Sequence, residues 1–119
     1  MAITTNIPQP ISHGFAVNGT SADASSCEEL VAAPGSGKAI VLQFLEISTV
    51  AAITVTIGTG ESGDNVETVV IGPLNFAATS GSPVVMAFPQ GLKLTANKSL
   101  TIDTSGAGAV QVFAQGYIE

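Results

Sequence analysis

The chain has 119 residues, 45% of them hydrophobic but only 10% charged, with three lysines, no arginine, nine carboxylates and a net charge of −6. Three scattered lysines (Lys38, Lys93, Lys98) cannot neutralise a phosphate backbone or grip an acidic lipid surface, so nucleic-acid and membrane binding are both excluded as expectations. One cysteine, Cys27, rules out an intrachain disulfide, and no apolar run approaches the roughly 18 residues a spanning helix needs.

Residues 1–12 are polar, carry Pro8 and Pro10, and lack both the basic start and the apolar stretch of a secretory signal. They read as an irregular arm. Residues 18–26, NGTSADASS, read as a loop, so the expected division is an arm and loop over 1–25 and a folded domain over 26–119. In SCEELVAAP, Ser26 and Glu29 stand at capping-box spacing, but so short a helix is marginal and a strand over 29–33 is preferred.

From residue 39 onward the pattern is β. AIVLQFLEIST has apolar residues on both faces, as a doubly covered central strand would. AAITVTIGT alternates, with Ile53, Val55 and Ile57 on one side and Thr54 and Thr56 on the other. VETVVIG, PVVMAF, LKLT and SLTID supply further strands. The last, AVQVFAQGYIE, sets Val110, Val112, Ala114 and Ile118 against Gln111, Phe113, Gln115 and Tyr117. Gly-rich turns (PGSGK, GTGESGDN, TSGSP, PQG, TANK, TSGAGA) separate these runs, and the whole predicts an antiparallel β-sandwich or barrel of about eight short strands.

Gly37-Lys38 raises the question of a phosphate-binding loop. The first glycine position of such a loop is Ala32, the metal-holding Ser/Thr position is Ala39, and the segment that follows is a strand. PGSGK therefore reads as a hairpin connection, with no nucleotide cofactor. Glu61, Asp64 and Glu67 on a Gly-rich loop are hard oxygen ligands of the kind calcium takes, but the EF-hand spacing is missing, and such carboxylates also serve merely to solvate a hairpin tip. His13 is the sole histidine, a poor metal ligand by itself and at most a general base; Cys27 has no nucleophile context, and no G-x-S-x-G elbow occurs. Glu28 and Glu29 on a strand point to opposite faces. Sequons at Asn18 and Asn97 are read as chance. These readings predict a protein without metal, cofactor or catalytic centre.

A surface with so few charges suits a subunit interface, where charged residues are depleted. Phe113 and Tyr117, flanked by Gln111 and Gln115, are the best interface candidates; alternation leaves open whether a second sheet of the same chain covers them.

The stretch 29–119 resembles the small β-sandwich proteins encoded beside the major capsid gene of tailed phages. The resemblance rests on LVAAPGSGKAIVLQFLEIS, ITVTIGTG, GPLNFAATSGSPVVMAF and GLKLTANKSLTIDTSGAGAVQVFAQGYIE. It implies a jelly-roll-like capsid decoration (cement) protein or a fibre- or tail-associated domain that recognises a host glycan or protein. The decoration reading implies a homotrimer on the outer surface of the virion, made in the host cytoplasm and bound to the major capsid protein. An arm in such proteins reaches across a neighbour, which would add Pro8 and Pro10 to the interface.

Overall fold

The computed structural model describes residues 3–6, 14–77 and 83–119, and within them nine strands form two antiparallel sheets. The strands are β1 (Thr4–Asn6), β2 (Gly14–Ser21), β3 (Glu28–Val31), β4 (Ile40–Thr49), β5 (Thr54–Ser62), β6 (Asn65–Asn75), β7 (Val84–Lys93), β8 (Leu100–Thr104) and β9 (Val110–Ile118). One sheet has the order β1-β2-β9-β4-β7, the other β3-β8-β5-β6. Apart from β1–β2 and β5–β6, every connection crosses from one sheet to the other. With β1 set aside, the order 2-9-4-7 facing 3-8-5-6 is that of an eight-stranded jelly roll. The all-β sandwich expected from the sequence is the observed fold.

The core lies between the sheets. Ile40, Leu42, Leu45 and Ile47 of β4 and Val112 and Ala114 of β9 meet Val55 and Ile57 of β5 and Leu100 and Ile102 of β8. The alternation of β5 and of β9 holds as the sequence predicts. That of β4 does not: its inward residues are 40 and 42, then 45 and 47. A bulge between Leu42 and Phe44 inserts Gln43 and shifts the phase by one residue. The apolar residues on both faces of AIVLQFLEIST thus come from a slip in period, and β4 is a strand with one core face rather than a doubly covered one.

Four other expectations are corrected. Residues 18–21 belong to β2, which pairs with β9 along its whole length, so the sheet includes residues assigned above to the arm and loop. The polar composition there belongs to a strand whose outward positions are Asn18 and Thr20. Its inward Gly19 is a point of close approach: a Cβ there would sit 2.9 Å from Ile3 Cδ1 and 3.4 Å from Leu30 Cδ2. The strand expected over 29–33 exists but runs Glu28–Val31. PQG is an excursion within β7 rather than a turn between two strands: residues 88–91 of β7 stand opposite Gln43 alone. PGSGK joins β3 to β4 and so crosses between sheets, where a hairpin was expected. It is tied to the TANK turn, since Gly35 N donates to Asn97 Oδ1 (3.0 Å) and Asn97 N donates to the Lys38 carbonyl (2.7 Å).

Candidate functional site

Register fixes what the outer face of the β2-β9-β4-β7 sheet presents. Reading across the strands in that order, one row is Gly14, Tyr117, Val41 and Lys93; the next is Ala16, Gln115, Phe44 and Ala87. The third is Asn18, Phe113, Glu46 and Val85, and the last begins Thr20, Gln111 and Ser48. Strand spacing and rise make this a patch of about 14 × 20 Å. Glu46 and Lys93 are its only charged residues.

The rows differ in character. Val41 is only 3% exposed although it points outward, because the 88–91 excursion of β7 folds over it. At Gly91 a Cβ would collide with the Val41 side chain and lie 3.7 Å from Tyr117 Oη; its φ of 82° is also one that side chains rarely adopt. The middle of the patch is aromatic. Phe44 and Phe113 meet edge to face, centroids 6.0 Å apart at 64°. Val85, 55% exposed, flanks them on the edge strand β7. Beside Phe113 the surface dips into a concavity of about 330 Å³ lined by Asn18, Glu46, Ser48, Gln111 and Phe113.

The sequence candidates Phe113, Tyr117, Gln111 and Gln115 therefore share one face, and it is the outside of the sandwich, away from the other sheet. Sequence reasoning missed Phe44, Glu46, Asn18, Ser48 and Val85. The bulge at Gln43 hid the first two by changing the phase of β4, and Asn18 fell in a stretch taken for loop. Pro8, Pro10 and His13 lie outside the described residues.

The remaining reactive groups sit elsewhere, with Cys27, Glu28, Asp103 and Glu61 gathered near the β3–β8 pair. Cys27 is buried against Thr101 and Asp103; desolvation first, then the nearby Glu61 carboxylate, pushes its thiol up to about 11. Such a thiol is almost wholly protonated at neutral pH and a poor nucleophile. Glu28 points between the sheets, 8% exposed. Its Oε2 accepts from Ser21 Oγ (3.3 Å) while Oε1 has no partner. Burial pushes its carboxyl above the usual range, and the Ser21 bond opposes that shift. In the acidic loop, Glu67 is held by Lys98 (2.8 Å). Among the described residues no three of His, Cys, Asp and Glu come together as a metal site.

Among the described residues, fold and face together define an all-β jelly roll with an open, aromatic-centred sheet surface. Family models, curated proteins and solved structures yield no match to the chain in any of the three comparisons.

Proposed function

We propose that the chain is a structural virion protein, a decoration (cement) protein that stabilises a phage head by binding the major capsid protein on its outer surface and by associating with copies of itself as a homotrimer. The observation that carries this reading is the placement of Phe44, Phe113, Tyr117 and Val85 on an outward sheet face with only two charges. Buried aromatic anchors in charge-poor surroundings are what protein interfaces concentrate. The jelly-roll order and the resemblance of residues 29–119 to capsid-associated proteins support it further.

Size shapes the mechanism. A patch of about 14 × 20 Å is smaller than the roughly 800 Å² per partner of a standard interface, so one such contact is weak. A trimer on a repeating shell makes several contacts at once, each later one at high effective concentration, and the sum holds where the parts do not. The contact centres on Tyr117 and Phe44, with Phe113 and Val85 at its border.

The test is light scattering of the purified chain together with co-sedimentation on capsids. A trimer that pellets with capsids, and loses both properties on Phe44→Asp, is the expected result. A strict monomer that stays in the supernatant would remove the reading.

A further inference from the structure

The geometry points to a binding site for a neutral saccharide in the concavity at the Asn18–Gln111 end of the outer face. This goes beyond the capsid reading and does not rest on it. At about 330 Å³ the concavity stands at the lower end of the roughly 300–1,000 Å³ typical of small-molecule sites, room for one or two sugar rings.

Its lining matches the two kinds of surface that a sugar offers. A pyranose has an apolar C–H patch and a rim of hydroxyls, each of which donates once and accepts twice. Phe113 supplies a ring for the C–H patch, and its T-shaped contact with Phe44 limits how that ring turns. Asn18 and Gln111 supply amides that both donate and accept, Ser48 a hydroxyl and Glu46 a carboxylate that accepts. Among the described residues, none of these four side chains is engaged in another hydrogen bond. Asn18, Phe113 and Glu46 form one row and Gln111 and Ser48 lie in the next, about 7 Å along the strands, which is the span of a sugar ring. The three strands that carry them are hydrogen-bonded neighbours, so the backbone is in place before binding and only side chains are left to order.

Other ligand classes fit less well. The two rows contain no lysine, and Glu46 repels an anion, so phosphate and acidic sugars are disfavoured. A divalent cation would find one carboxylate where it needs several oxygen ligands with charge. A wholly apolar ligand would strand four polar groups without partners.

The experiment is a two-dimensional ¹H–¹⁵N titration of the isolated chain with the methyl glycosides of glucose, galactose, mannose and N-acetylglucosamine. N-acetylneuraminic acid and calcium chloride serve as contrasting probes. At least one neutral glycoside is expected to shift amides of β2, β4 and β9 around the concavity saturably, with Kd on the order of 1 mM. Phe113→Ala abolishes the shifts, Gln111→Ala weakens binding about fivefold, the worth of one lost hydrogen bond, and Val69→Ser on the other sheet changes nothing. Gln111 is exposed at the surface, so its variant decides the matter if Phe113→Ala does not fold. The site is overturned if none of the four glycosides produces shifts there, if only the acidic sugar or calcium does, or if Gln111→Ala binds as the parent chain does. No capsid enters this assay, so its failure leaves the decoration reading standing, and the loss of that reading leaves this site standing.

Discussion

The two sheets treat their outer faces in opposite ways. On the β3-β8-β5-β6 sheet the long β5–β6 hairpin curls back over its own surface. A Cβ at Gly58 would collide with the Thr68 carbonyl and lie 2.9 Å from Val66 Cβ. Thr101, which points outward between Leu100 and Ile102, is 0% exposed and donates to the Gly60 carbonyl (2.9 Å). Cys27 is sealed nearby. On the β2-β9-β4-β7 sheet nothing of the described chain covers the aromatic pair or the concavity beside it, and only Val41 is roofed, by the excursion of β7. One face is covered around Gly58 and Thr101 by local chain, leaving Val69 exposed on its edge strand β6. The other is left open with its large apolar groups facing out, which a chain with 10% charged residues has few means to solubilise. The covered face therefore belongs to stability, and under the proposed function the open one is where partners dock.

Substitutions separate the two. The largest effect is expected at Gly58→Val. The new side chain meets a backbone carbonyl that cannot move without breaking the β5–β6 ladder, so stability should fall by about 3 kcal/mol or the chain should not fold, read by thermal melting. Ile57→Ala in the core between the sheets should cost about 2–4 kcal/mol through lost burial and the cavity left behind, measured by urea unfolding. Phe44→Ser on the open face should cost no more than about 1–2 kcal/mol while abolishing self-association by light scattering, because the ring is only partly buried in the single chain.

Glu28→Gln sharpens the contrast through pH. The carboxyl of Glu28 is pushed up by burial, so below the ordinary carboxylate range both folded and unfolded states hold the proton and no penalty exists. As pH rises through the ordinary range the unfolded state loses its proton first, and the penalty grows until the folded carboxyl ionises. The parent chain should thus be less stable than Glu28→Gln at pH 7, because only the carboxyl carries the cost of ionising a buried group, with the gap closing on acidification. Asp103, also raised by burial, acts in the same sense; Asp23, lowered chiefly by its bond from Ser25, acts in the opposite one. The smallest expected effect is kinetic. Cys27 should react with a thiol reagent at pH 7.5 far more slowly in the folded chain than in urea.

How far the sequence reaches is clear from particular strands. β5 and β9 keep strict period two, and their buried and outward residues were legible from alternation alone. β4 was not, because Gln43 interrupts the period and puts Val41 and Phe44 on the same outer side. β2 was hidden by its composition: a strand that pairs with β9 along its length needs no apolar run when its inward positions include Gly19, packed under Ile3 and Leu30, and Ser21, bonded to Glu28. The concavity could not be read at all. Its five residues come from three strands distant in sequence, and only the register of β2, β9 and β4 brings them side by side.

The most direct test of the open face as the interaction surface is the solution mass of the chain across a concentration series, taken for the parent and for a Phe44→Asp/Tyr117→Asp double variant. Three times the 11.9 kDa chain mass for the parent, and a folded monomer for the variant, is the predicted outcome. A parent that stays monomeric throughout, or a variant that assembles as the parent does, would contradict it.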